Sequence, residues 1–366
     1  TDYEDFLHIR KPTGDHNLRA RNMNIGVVID DEFMHSLKQG HTKNRELWAN
    51  TLKERVENGE PYLMFGDTVN KANPKSYIDN NLTVKTSNIC SEILLHTDAD
   101  HTAVCCLSSL NLYEFRAWEN HVFTNGMTLP QVVTFFLDSV LTEYIDKASK
   151  ISGFESAVRS SIKGRAIGIG TLGFHSLLQR EGFPMDSFDA FMLNAQIFNF
   201  IKRESTMASM RLADKLGEPE WCKGTRMRNT HLLAVAPNAS SSIIAGGVSH
   251  SIEPINANAF ALKSAKGVFI KKNKDLERLL ESKGLNTIEV WSQIIKDNGS
   301  VQKVKGLSEE DKLVYLTARE LNQHVLIKLG SQRQKFICQG QSLNLFFNSN
   351  ASPRYIHEVH YSAWEQ

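Results

Sequence analysis

The sequence predicts an α/β fold, and three observations carry that prediction. Short apolar runs of strand length alternate with stretches of helical period over most of the 366 residues. Gly, Asn, Ser and Pro stand at the changeovers as turn and cap residues. No internal repeat, low-complexity tract or clear linker breaks the alternation, so residues 1–366 read as one domain. A chain of this length can bury a large core.

The elements follow in order. "RNMNIGVVIDDEFMHSL", 21–37, reads as a short strand running into a helix. "NRELWANTLKERVENG", 44–59, is an amphipathic helix with Leu47, Trp48, Leu52 and Val56 inward and Gly59 at its end. "PYLMF", 61–65, is a short apolar segment, and 66–87 reads as polar loop. "AVCCLSSLNL", 103–112, is the next apolar run. "TLPQVVTFFLDSVLTEYIDKA", 128–148, opens with Thr128 and an early Pro130, as a helix does. A long helix is expected between Ser187 and Gly217, and "HLLAVAP", 231–237, reads as a buried strand. "FALKSAKGVFIKK", 260–272, alternates around Gly267 like a hairpin. Three further helical patterns follow Lys274. A last one, "PRYIHEVHYSAWEQ", 353–366, carries a stripe of Ile356, Val359, His360 and Ala363.

Composition narrows the function. Forty-two Lys and Arg stand against forty-one Asp and Glu, so neither a nucleic-acid backbone nor an anionic membrane is the expected partner. No run of eighteen apolar residues or signal-peptide pattern occurs. The cysteines, Cys90, Cys105, Cys106, Cys222 and Cys338, are odd in number and sparse. That is not a disulfide framework, and a reducing, cytoplasmic location is expected. The chain opens on Thr1, and no helix stop follows Gln366, so it is expected to be a piece of a longer polypeptide or half of a split one.

Five stretches carry candidate chemistry. In "TSNICSEILLH", 86–96, Asn88, Cys90 and Glu92 stand two apart. In an extended segment their amide, thiol and carboxylate project to one side; the plain alternative is a strand edge with a half-buried Cys. "GIGTLG", 168–173, fits a dinucleotide loop but lacks the acidic residue after a second strand, so close strand–helix packing through small residues is the better reading. "HTDADHT", 96–102, offers His96, Asp98, Asp100 and His101, yet reads as an exposed turn, and no metal is expected. "APNASSSIIAGG", 236–247, follows a buried strand directly; a helix starting there would make an anion site, or the Ser and Asn would simply cap it. Adjacent Cys105 and Cys106 cannot form a relaxed bridge, because neighbouring Cα atoms are ~3.8 Å apart.

Together, "SNICSEILLH", "AVCCLSSLNL", "RAIGIGTLGF", "RNTHLLAVAPNASSSI", "GVSHSIEP" and "QSLNLFF" resemble the large, catalytic subunit of class I ribonucleotide reductase, in the family's order from about residue 20 onward. The resemblance implies a ten-stranded α/β barrel with the radical-cysteine loop at its centre. It implies that Cys90 is the thiyl radical, Glu92 the general base, Asn88 a ribose contact and Cys105 one of two reducing thiols. Pro237, Asn238, Ala239, Ser240, Ser241 and Ser242 would cradle the substrate's diphosphate.

The same resemblance implies that the chain binds no cofactor itself. A metal-containing small subunit would supply the radical, and a thioredoxin- or glutaredoxin-type protein the reducing equivalents. A homodimer of large subunits is implied, in the cytoplasm, or in the host cytoplasm if a phage encodes the chain. The family's N-terminal effector lobe, first barrel strands, radical-relay Tyr pair and Cys-bearing tail have no match here. A complementary N-terminal polypeptide is therefore expected, as in the split subunits of some phages. Ala239 departs from the Glu many relatives carry. Two alternatives stay open: a class II, adenosylcobalamin-dependent reductase, and a catalytically incomplete fragment with an assembly role. Class III is disfavoured by Glu92.

Overall fold

A computed structural model describes residues 2–264 and 267–366. Its centre is a run of parallel extended segments. β3 (Leu107–Asn111) pairs with β4 (Gly168–Leu172), Leu107 opposite Gly168 and Asn111 opposite Leu172. Leu233 bridges to Ile169, and Val235 to Gln341, both in parallel. The order across this wall is therefore β3, β4, the 231–236 segment and the segment around Gln341. The 231–236 segment is buried throughout but joins the wall through isolated bridges, not a continuous ladder.

Parallel segments need long crossovers, and helices supply them. Helix Leu129–Ala148 links β3 to β4 together with helix Glu155–Gly164, which no sequence pattern marks. Helix Phe188–Leu216 links β4 to the 231–236 segment. The Ser187 hydroxyl caps it by accepting from the Ala190 N–H at 3.1 Å. Its buried Leu193, Ile197, Ile201, Ala208 and Leu212 recur at helical spacing, and the first three pack with Ile169, Val235 and Leu329 in the main core.

The glycines of 168–173 serve packing, as expected, but between neighbouring wall segments. A Cβ on Gly170 would lie 2.6 Å from the Ala234 carbonyl oxygen and 3.2 Å from the Ser109 hydroxyl. Gly173, at φ +81°, turns the chain from β4 into helix Phe174–Glu181.

A second layer carries the N-terminal part. β1 (Gly26–Ile29) pairs in parallel with β2 (Tyr62–Phe65). Helix Thr42–Asn58 connects them and packs on the C-terminal helix Pro353–Glu365, where Trp48 Nε1 donates to His357 Nδ1 at 2.9 Å. Ile356, Val359 and His360 are buried there as the stripe predicts.

Several expectations change. Val56 is 55% exposed, since the apolar face of its helix is narrower than the periodicity suggests. Residues 66–87 contain helices Gly66–Lys71 and Lys75–Asp79, anchored by Tyr77, which is 1% exposed. β5 (Ala259–Ser264) and β6 (Gly267–Lys272) form the antiparallel hairpin, whose tip at 265–266 lies outside the described residues. Four helices, not three, lie between Lys274 and Gln334: Lys274–Ser282, Ile288–Lys296, Glu309–Val314 and Gln323–Gln334. Among the described residues the strand ladders form three two-stranded sheets and do not close into a ten-stranded barrel. The architecture is α/β with a parallel inner wall.

Candidate active site

Asn88, Cys90 and Glu92 do meet, but not as an extended strand. Residues 88–91 form a tight turn, with the Ser91 N–H donating to the Asn88 carbonyl at 3.1 Å and Ser91 at φ +70°. Asn88 closes the turn twice: its Oδ1 accepts from the Ile93 N–H at 3.0 Å, and its own N–H donates to the Ile93 carbonyl at 3.3 Å. A loop, not strand alternation, delivers the convergence. Cys90 sits at the tip, half-buried, and Glu92 lies beneath at 3% exposure.

The electrostatics suit a site that handles hydrogen atoms and protons. Burial pushes the Glu92 carboxyl up, while its own backbone N–H and the Asn88 amide offset part of that shift. One Glu92 oxygen, Oε2, is buried without a hydrogen-bond partner among the described residues. Such an atom is costly to bury and is an acceptor waiting for a donor. Desolvation, then the nearby Glu92 carboxylate, raises the Cys90 thiol. Cys105 is open to solvent on one side, yet desolvation, then Glu92 and then Cys90, push its thiol up too. Both sulfurs are thus held as S–H beside one carboxylate. Tyr62, on β2, joins them: burial first, then Glu60 and Cys90, raise its phenol.

Gly340 holds the turn in place. Its N–H donates to the Glu92 carbonyl at 2.8 Å, and its carbonyl accepts from the Val235 N–H at 3.1 Å. The Cys90 turn is thereby fastened to the inner wall. A Cβ on Gly340 would stand 2.7 Å from the Ser91 carbonyl oxygen and 3.2 Å from Glu92 Cα. Gly340→Ala is expected to cost about 1–3 kcal/mol, as overpacking does, and to change the alkylation rate of Cys90. An unchanged denaturation midpoint and alkylation rate would show that the contact yields freely. No motif marks Gly340 or Tyr62, because each acts through a contact far away in the chain.

The Ser-rich segment lies along the same wall. Asn238, at φ +52°, opens helix Ala239–Ile244 and makes no side-chain cap. Its Nδ2 donates instead to Ser109 Oγ at 2.9 Å, Thr171 O at 3.1 Å and Ala236 O at 3.0 Å. This ties the segment to β3, four residues beyond Cys105, or about 13 Å of strand. Ala239, Ser240 and Ser241 are exposed, and the backbone N–H groups of this first turn have no intrahelical acceptor. Pro237 is half-buried. Ser242 differs: it is buried, and its hydroxyl donates back to the Ala239 carbonyl at 2.9 Å.

The other cysteines stand apart. Cys106 is buried, its Sγ 3.5 Å from the Leu137 carbonyl oxygen. Cys222 is buried in the short helix Glu220–Cys222, and burial pushes its thiol up to about 12. Cys338 Sγ accepts from the N–H groups of Leu232 at 3.1 Å and Leu233 at 3.4 Å. The 96–102 stretch is a turn at Asp98–His101, but His96 is only 7% exposed, against the expectation of a solvated segment.

This chain matches the family described as "Ribonucleotide reductase, barrel domain" over residues 36–227 and 220–366. It is 42% identical, over 88% of its length, to the ribonucleoside-diphosphate reductase large subunit of Invertebrate iridescent virus 3, and spans 50% of that protein. Along its full length it is 28% identical to the large subunit of Danio rerio, spanning 53% of it. Its structure superposes on the class Id ribonucleotide reductase alpha subunit of Actinobacillus ureae with a TM-score of 0.91 and 39% identity, covering all of this chain and 66% of that one. No helix is long and apolar enough to cross a membrane among the described residues. With the thiol and carboxylate turn seated on a parallel α/β wall, the chain belongs to the ribonucleotide reductase large-subunit family, whose barrel domain it carries.

Proposed function

We propose that the chain is the catalytic part of a ribonucleoside-diphosphate reductase, converting ribonucleotides to 2′-deoxyribonucleotides by thiyl-radical chemistry. The observation that carries this reading is the grouping of Cys90, Glu92 and Cys105, two protonated thiols flanking one buried carboxyl with an unpartnered oxygen. Cys90, oxidised to a thiyl radical, takes the 3′ hydrogen atom and is S–H during the reduction; at the end it returns that hydrogen atom to C3′, which closes the C–H bond and restores the thiyl radical. Glu92 accepts the 3′-OH proton, and Asn88 orients the turn on which both stand. Cys105 protonates the departing 2′-OH, which leaves as water. Two thiols then supply the reducing electrons and close as a disulfide, so a second thiol must join Cys105. The hydroxyls of Ser240 and Ser241 and the first-turn N–H groups of Ala239–Ile244 bind the diphosphate. Pro237 and Asn238 set their direction.

The radical comes from a metal-containing small subunit, a reading the class I likeness supports. In the complete assembly a ten-stranded barrel encloses the Cys90 turn, large subunits pair as a homodimer, and a complementary N-terminal polypeptide supplies what this chain does not span. A thioredoxin-like dithiol restores the thiols, in the cytoplasm or a virus's host cytoplasm. The test is conversion of a labelled ribonucleoside diphosphate with each component omitted in turn. Product only when all are present supports the proposal, and its absence from the complete mixture refutes it.

A binding experiment isolates the phosphate assignment. Ser240→Ala with Ser241→Ala removes two exposed hydroxyls, each worth about 1.5–3 kcal/mol when bonded to a charged oxygen. Nucleotide affinity should fall at least tenfold with the folding midpoint unchanged. An unaltered Kd in the double variant would remove these hydroxyls from the site.

A further inference from the structure

The connection between Glu92 and Cys105 contains a second cluster that the chemistry above does not use. His96 Nε2 lies 2.9 Å from Asp98 Oδ2, and His101 Nδ1 lies 2.9 Å from Asp98 Oδ1. One ligand-capable atom from each of the three residues falls within 4.8 Å of the others. We propose that His96, Asp98 and His101 bind one divalent transition-metal ion of the Zn²⁺ type.

Hydrogen bonding fixes the orientation of the first ligand. His96 Nδ1 lies 2.8 Å from the Thr83 carbonyl oxygen and 3.3 Å from the Thr83 backbone nitrogen; the shorter contact is to an atom that can only accept, and it is made with the ring proton on Nδ1. In the neutral ring the Nε2 lone pair then points at a carboxylate oxygen 2.9 Å away. Two lone pairs at that distance repel unless a cation lies between them, either a second proton or a metal ion. A carbonyl behind one histidine nitrogen, with the other nitrogen aimed at the ion, is the outer-shell arrangement that orients metal-binding imidazoles.

The second histidine faces the same carboxylate. His101 Nδ1 points at Asp98, while its Nε2 is buried and without a hydrogen-bond partner among the described residues. Asp98 is steadied independently: its Oδ1 accepts from the N–H groups of Asp100 and His101, each at 2.8 Å. The Trp221 ring closes one side, 6.1 Å from the His96 ring and 5.1 Å from that of His101, centre to centre. Two imidazoles and one carboxylate form a borderline donor set that selects Zn²⁺ and its neighbours over Ca²⁺ or Mg²⁺. Zn–N bonds of about 2.0–2.1 Å require the donors to draw in slightly. Solvent reaches Asp98 to complete the shell. The ion would brace the segment joining the Cys90 turn to Cys105.

The test uses the full chain, stripped with a chelator and reduced, then titrated with Co²⁺ and with Zn²⁺ against a chromophoric competitor. One equivalent should bind, and Co²⁺ should show ligand-field bands of a low-coordinate nitrogen and oxygen site without thiolate charge-transfer absorption. Asp98→Asn and His101→Gln should each weaken binding by about tenfold or more. A far-ultraviolet spectrum checks that each variant keeps the fold. No uptake by the unaltered chain would show that protons alone bridge the cluster. Thiolate bands, or affinity unchanged in a folded His101→Gln, would place the ion elsewhere. Each of these results overturns the proposal, and none depends on reductase activity.

Discussion

Cys90→Ser is expected to reduce deoxyribonucleotide formation to assay background while substrate still binds. A hydroxyl neither forms the required radical nor exchanges the 3′ hydrogen reversibly, and the substitution leaves the proposed phosphate-binding hydroxyls of Ser240 and Ser241 untouched. The turn should survive, because its hydrogen bonds come from Asn88, Ser91 and Ile93, none of which uses the Cys90 side chain. Glu92→Gln tests the partner role. The amide keeps the shape but cannot take a proton, and losing a positioned general base costs about 10²–10⁴-fold. The assembled enzyme should thus be silent with Cys90→Ser and slow with Glu92→Gln, with nucleotide Kd within a few-fold of normal in both. Substantial turnover by Cys90→Ser would remove the thiol from the centre of the mechanism.

The chemistry is more legible in the sequence than the geometry. Asn88, Cys90 and Glu92 lie within five residues, so their proximity needs no fold to predict it. Their arrangement does: nothing in "NICSE" announces that Ser91 adopts φ +70°, a conformation unusual for a residue with a side chain. Long helices are readable because caps and periodicity agree, as at Ser187 and along Phe188–Leu216. The two short helices between Gly66 and Asp79 are not, since tertiary burial of Tyr77 holds them and local propensity does not. The 231–236 segment is recognisable from its apolar run, but its neighbours are not, because parallel pairing joins segments far apart in the chain. Gly340 illustrates the same limit. Its importance lies in one close contact with Ser91 and Glu92 that no pattern around residue 340 encodes.

Cys105→Ser is expected to be as damaging as the loss of Cys90, and the structure indicates why no other cysteine of the chain replaces its redox partner. Reduction of the 2′ carbon consumes two thiols and leaves a disulfide. Cys106 is adjacent in sequence, too close for a relaxed bridge, and its sulfur is buried against the Leu137 carbonyl. Cys222 is fully enclosed, and Cys338 is held by the Leu232 and Leu233 N–H groups. Cys90 lies close enough to interact electrostatically with Cys105, but in the proposed mechanism oxidising it would remove the thiol assigned to the radical. The second thiol is therefore expected from outside residues 1–366. Peptide mapping after one turnover of the complete mixture, with thiols trapped by alkylation, should find Cys105 in a disulfide with a cysteine outside residues 1–366, in proportion to product, with Cys90 still alkylated. With this chain and the small subunit alone, no product and no Cys105 disulfide should form. A Cys90–Cys105 bridge accumulating with product would instead show that the chain's own two site thiols carry the electrons, and that the division of roles between them is wrong.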